Sequence, residues 1–273
     1  MKRGALLMAA LLTLAACAPA TGLEPQKISD ADIQLGTTPP VKAGVATSEP
    51  EQQARSEPEE SRPMYAGFAA ELGATASLVA TTIGDTVIYD APGSGQEMMT
   101  LDAHTILGTA TVLSVVQQGP DGWLEVMLPI RPNGSTGWVH STEVALYVVE
   151  GRIIIDLSDR QLSYVVSGEE VLTSTVAIGK SGYPTPTGEF FVTDSVTLSS
   201  EGTPWGPHAL GLSARSDTIT EYNGGDGIIG IHGTNNPSSI GNAASLGCVR
   251  LPNELITELF GLVPIGTPVE IRA

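Results

Sequence analysis

The sequence predicts a mainly β protein: a small barrel followed by a larger strand-rich unit with one short helix near its end. Three observations point there. From about Ser77 onward the apolar runs are short, rich in Val, Ile, Thr and Tyr, and end at Gly, Pro, Asn or Asp, as strands do. Helical spacing appears in one stretch, Asn253 to Phe260. Apolar residues are 41% of the chain and charged residues 16%, enough material for a core, and 273 residues favour two modest domains.

Residues 1–17 open with Lys2 and Arg3 and continue in a nearly unbroken apolar run from Ala5 to Ala16. The run is short of the ~20 residues a spanning helix needs, and reads as the core of a secretory signal outside the fold. It ends in Leu14-Ala15-Ala16-Cys17, which resembles the lipobox of bacterial lipoproteins. That resemblance implies lipidation of Cys17, membrane association by lipid anchor, and a place in the cell envelope facing the wall. Residues 18–76 are expected to form a disordered tether. As far as Pro63 they are rich in Pro, Glu, Gln, Thr and Ser and hold no aromatic residue, so they cannot bury enough apolar surface to offset ordering entropy. Met64 to Ala76 read as a short helix or as more linker.

Residues 77–146 are the expected barrel. Thr86-Val87-Ile88-Tyr89 stops at Asp90-Ala91-Pro92-Gly93, and Thr111 to Val116 stops at Gly119-Pro120-Asp121-Gly122. Trp123 to Met127 and Gly137 to His140 flank a Pro-Asn-Gly loop. The Val-Tyr-x-x-Pro start and the Gly-Trp pairs resemble a bacterial SH3 domain. Such domains bind wall glycan or peptide, or only position a neighbour. Trp123 and Trp138 are read as core packing.

Residues 147–273 are again strand-like. Arg152 to Leu157, Leu162 to Val166 and Val171 to Ile178 make a meander. Asn253 is placed to cap a helix whose stripe is Leu255, Ile256, Leu259 and Phe260, with Gly261 as its stop. Gly266 to Ile271 is the last strand.

The 13 basic and 30 acidic side chains give a net charge of −17, which argues against holding nucleic acid or gripping anionic lipid electrostatically. Cys17 and Cys248 are the two cysteines, too few for a disulfide framework or an all-Cys metal cage. Cys248 lies in Ser245-Leu246-Gly247-Cys248-Val249-Arg250, downstream of His232-Gly233. A free thiol is only a few per cent thiolate at neutral pH; a neighbouring imidazole can take its proton and lower its pKa. Gly247 permits a turn whose backbone N–H groups hold an oxyanion. Taken alone, a Cys and a His are more often a buried apolar residue and a structural histidine. The flanking residues reverse that reading.

Those residues closely resemble the signature of the L,D-transpeptidase family, also called the YkuD domain: a His-Gly pair, then Ser-x-Gly-Cys, an apolar residue and Arg. Ile155-Asp156-Leu157-Ser158, Ile178-Gly179 before Pro184-Thr185-Pro186-Thr187-Gly188, and Gly266-Thr267-Pro268-Val269 match as well. The resemblance covers residues 147–273 and implies a β-sandwich-like fold with the Cys in a cleft under a flap. It implies Cys248 as nucleophile on peptidoglycan stem peptides and His232 as general base, its ring oriented by the Gly233 carbonyl. The N–H groups of Leu246, Gly247 and Cys248 would form the oxyanion hole, with Ser245 in the same loop. Arg250 would bind a substrate carboxylate or brace the loop, and Tyr222 and Asn223 would line the acceptor side. Many members have a second His where Leu246 stands, so a two-imidazole mechanism does not carry over. His208 is read as structural or at the surface. Cys248, His232 and His208 make a poor zinc set, and neither metal nor cofactor is expected. Carbapenem-type inhibitors are expected to acylate the thiol. The acyl acceptor stays open: a stem amine, water (an L,D-carboxypeptidase) or a protein lysine (a protein-to-wall ligase). An NlpC-type hydrolase would need its Cys before its His, the reverse of this order. A non-catalytic wall-binding lipoprotein is the remaining alternative.

Overall fold

The computed structural model describes residues 33–35, 76–198, 202–222 and 225–273. The signal with Cys17, most of the tether and Asn223 lie outside them. Strand β1 (Ile33–Leu35) falls within the expected tether and pairs antiparallel with Val196 to Leu198, so these three residues sit on a sheet edge rather than in free linker.

The first unit comprises β2 (Ala76–Thr82), β3 (Thr86–Tyr89), β4 (Glu97–Leu101), β5 (Val112–Gln118), β6 (Trp123–Met127), β7 (Thr136–His140) and β8 (Val144–Glu150). They form one sheet in the order β4-β3-β7-β6-β5-β2-β8. The ladder has two ends, so hydrogen bonds do not close it as in a full barrel. β8 pairs with β2 from Ala76↔Glu150 to Thr82↔Val144, which carries the unit past Leu146 to Glu150. Alternation along β6 and β7 turns Leu124, Val126 and Val139 into the core. Trp123 and Trp138 occupy the other register and are half-buried on the outer face, where Trp123 meets Tyr89 edge-on at 5.3 Å. The reading of these tryptophans as core is corrected by that register.

The second unit comprises β9 (Arg152–Asp156), β10 (Gln161–Val166), β11 (Glu169–Thr175), β12 (Ile178–Gly179), β13 (Gly188–Leu198), β14 (His208–Arg215), β15 (Ile228–His232), β16 (Ala243–Ser245), β17 (Val249–Arg250), α1 (Asn253–Leu262) and β18 (Pro268–Arg272). The large sheet runs β11-β10-β9-β18-β13-β14-β15-β17. β13 turns the corner: Gly188 to Phe191 pair with β18, Val192 to Thr197 with β14, and the register slips between Val192 and Asp194. The two halves enclose Ile153, Ile155, Leu162, Leu210, Ile231 and Val269 in a sandwich-like core. Helix α1 lies against it through Ile256 and Leu259. Asn253 is the first helical residue rather than the cap, and its Oδ1 accepts the Thr234 N–H at 2.8 Å. Gly261 lies inside α1 and does not stop it. A mid-helix Gly costs only ~1 kcal/mol, and buried Val263 draws the last turn onto the core.

The units share a core cluster in which Phe191 of β13 packs with Val79, Val112, Met127 and Val149 of the first unit. Tyr147 Oη donates to Ile265 O at 2.9 Å across the same boundary.

Candidate active site

β15 and β17 run parallel, with Ile231 opposite Val249 and His232 opposite Arg250. A parallel neighbour needs a crossover, and residues 233–248 make it, folding β16 back onto β12 on the way. The end of the crossover is the Ser245–Cys248 turn, which therefore meets the His232-Gly233 end of β15.

Hydrogen bonds fix that turn. Buried Ser245 Oγ accepts the Gly247 N–H at 3.0 Å and donates to Cys248 O at 2.5 Å. Thr185 Oγ1 accepts the Gly179 N–H at 2.9 Å and donates to Gly247 O at 2.8 Å, tying the Pro184–Thr187 loop to the turn. Gly247 has φ +121, and a Cβ on it would lie 2.9 Å from Ile229 Cδ1. One expectation is corrected here. The Gly247 N–H donates to Ser245 Oγ and is not free for an oxyanion.

His232 is buried, and its Nδ1 lies 2.6 Å from Gly233 O. A carbonyl only accepts, so Nδ1 carries the hydrogen and Nε2 keeps a lone pair. Burial pushes the imidazole down to about 4; the Gly233 carbonyl opposes this, the Arg250 charge adds to it, and the Trp205 backbone opposes it more weakly. The ring is neutral at pH 7. Trp205 covers it, with centroids 4.5 Å apart and planes at 45°. The Trp205 loop comes this close because Gly206 and Gly233 touch backbone to backbone: a Cβ on Gly206 would lie 2.6 Å from Gly233 Cα.

Cys248 is half-buried. Burial pushes its thiol up, against smaller downward pulls from the Gly230 backbone and Arg250. A depressed thiol pKa was expected; desolvation outweighs the neighbouring donors, so the resting pair is a thiol and a neutral imidazole. Cys248 and His232 line one cleft with Trp205, Tyr222, Leu246 and Arg250. Burial and nearby Cys248 raise the Tyr222 hydroxyl, while Arg250 lowers it. Leu246 stands at the rim, 42% exposed. The Arg250 backbone exchanges two 2.9 Å bonds with Ala177, while its Nε is buried without a hydrogen-bond partner.

The structure thus brings His232, Ser245, Leu246, Cys248, Arg250 and Tyr222 to one cleft, with Gly233 and Gly247 shaping its loops. His208 stacks on Phe260 at 4.2 Å and does not line the cleft. Sequence reading missed Trp205 and the brace Thr185. Thr185 sits inside a matched motif; Trp205 carries no local pattern that ties it to a histidine far along the chain. Among the described residues, no group of three or more His, Cys, Asp or Glu side chains is placed to hold a metal ion. Nor is any described helix long and apolar enough to cross a membrane. The cleft holds a thiol and a neutral imidazole under an aromatic cover, side chains of the types that acyl transfer through sulfur uses.

Comparison with known proteins places the second unit in a family. Residues 150–271 match the model of the YkuD domain, the L,D-transpeptidase catalytic domain. The Bacillus subtilis protein named L,D-transpeptidase YkuD is 35% identical over 126 residues, which cover 46% of this chain and 68% of that protein. Its Bacillus licheniformis namesake is 39% identical over 120 residues, covering 44% of this chain and 64% of that one. The solution structure of the catalytic domain of an E. faecium L,D-transpeptidase is 26% identical, with a TM-score of 0.33, and covers 45% of this chain and 97% of that domain. The chain belongs to the L,D-transpeptidase family, acyltransferases of cell-wall peptides.

Proposed function

We propose that the chain cross-links peptidoglycan stems 3→3 through a thioester on Cys248. Nε2 of His232 takes the Sγ proton as sulfur attacks the carbonyl that joins a meso-diaminopimelate-type third residue to terminal D-alanine. The C–N bond breaks, the imidazolium returns its proton to the leaving amine, and D-alanine departs. A side-chain amine of a second stem attacks the thioester, His232 takes the amine proton, and the Cys248 sulfur leaves and is reprotonated. The N–H groups of Leu246 and Cys248 hold the developing oxyanion, a type of contact worth about 3–4 kcal/mol in a measured protease case. Arg250 offers its guanidinium to a stem carboxylate.

The observation that carries this reading is the neutral His232 ring, its Nδ1 committed to Gly233 O, in one cleft with the Cys248 thiol. Incubation of the chain with disaccharide-tetrapeptide is expected to give cross-linked dimers by mass spectrometry. Tripeptide without dimers would instead mark a carboxypeptidase, and transfer only onto a protein lysine a ligase. The Leu14–Cys17 run supports a lipid anchor in the envelope, facing the wall. The thiol chemistry supports acylation by carbapenems.

A further inference from the structure

The loop 216–227, between β14 and β15, supplies Ser216, Ile219, Tyr222 and Gly227 to the lining of the cleft. Its base is closed by the Ser216 N–H donating to Gly227 O at 2.8 Å. A further hold comes from the first unit. Arg131, between β6 and β7, donates from Nη1 to Ser216 O at 2.6 Å and from Nη2 to Ile219 O at 3.0 Å and Asp226 O at 2.7 Å. Those carbonyls lie on both arms of the loop. The Asn133 side chain accepts the Arg215 N–H and donates to Arg215 O, both at 2.8 Å, taking the place of a strand partner at the end of β14. Arg215, its side chain 10% exposed, completes the join: it donates to Pro129 O in the first unit and pairs with Asp226 at 2.7 Å. Packing here is tight enough that a Cβ on Gly227 would overlap Ile219 O and lie 3.1 Å from Arg131 Nη2.

We propose that the first unit clamps this loop. Arg131 and Asn133 are positioning residues that hold Ile219 and Tyr222 in the lining of the cleft that contains Cys248 and thereby set the affinity for the acyl donor. The role for the acyl donor rests on the transpeptidase reading of the cleft. Neither residue lines the cleft, so the clamp acts on binding rather than on the chemical step.

Hydrogen exchange by mass spectrometry on the full chain, with steady-state kinetics on the disaccharide-tetrapeptide, tests this in Arg131→Ala and Asn133→Ala. Exchange within 216–227 is expected to speed up about tenfold or more while the core strands β9, β13 and β14 keep their protection. KM is expected to rise about tenfold with kcat within about twofold. Alkylation of Cys248 by iodoacetamide, too small to need the loop, should not slow. Unchanged loop exchange in both variants overturns the clamp. So does acceleration spread evenly through the strands, or a loosened loop with an unchanged KM. Absence of turnover in the parent chain strikes the transpeptidase reading instead, and loop exchange then decides the clamp alone.

Discussion

Burial sets the protonation of His232 and Cys248 before any substrate arrives. A thiolate–imidazolium pair would give alkylation rates that level off across neutral pH. With a raised thiol and a lowered imidazole, the Cys248 alkylation rate is expected to keep climbing above pH 8.5; a plateau between pH 6 and 8 would contradict this. Stability carries the same signature. An unfolded histidine titrates near ~6.5 and the folded one at about 4, so between those values the unfolded chain carries a proton that the folded one does not. The contribution is fully present above pH 6.5 and is lost as pH falls towards 4, on the order of 3 kcal/mol. Urea unfolding at pH 7.5 and 4.5 should show a smaller drop in His232→Gln than in the parent. Equal drops would rule the histidine out as the cause.

At the scale of elements, the Ser245–Cys248 turn is the part whose shape the chemistry depends on. Gly247→Ala adds a methyl at φ +121 and against Ile229. The backbone must shift, and displacement of a nucleophile by ~1 Å can cost about 100-fold. Acylation of the variant is expected to fall by that order, with its fold retained by circular dichroism; near-parent rates would show that the turn tolerates movement. The turn was legible in the sequence because its chemistry sits in consecutive residues. So was the meander, whose alternating β9 and β10 obey a period of two. The capping role of Asn253 was misread because residue type fits a cap equally well wherever it stands, while its Oδ1 is claimed by Thr234 in another loop. The oxyanion role of Gly247 was misread for a similar reason: a backbone N–H has no sequence signature that reveals who already holds it. Trp123 and Trp138 failed on register, since a shift of one residue sends every side chain to the other face.

For the whole molecule, the sequence implied two units but not their union. Phe191 lies in a cluster whose other buried members come from the first unit, and Arg131 and Asn133 reach the second at separations in sequence that no periodicity reports. The two units are therefore expected to unfold together, in one transition by both fluorescence and circular dichroism. Phe191→Ala, which empties a fully buried site, should lower stability by about 3–5 kcal/mol and move that single transition. Two separate transitions in the parent chain would show instead that the shared cluster does not couple them.

The net charge of −17 gives no electrostatic attraction to an anionic wall, so under the proposed function recognition of a stem would fall to the cleft itself. The most direct measurement there is the intact mass of the chain during turnover of a disaccharide-tetrapeptide, with free D-alanine counted alongside. An acyl adduct mapped to Cys248, D-alanine released one for one with it before dimers appear, and neither seen in Cys248→Ser is the expected result. Release of D-alanine by Cys248→Ser at the parent rate would contradict it.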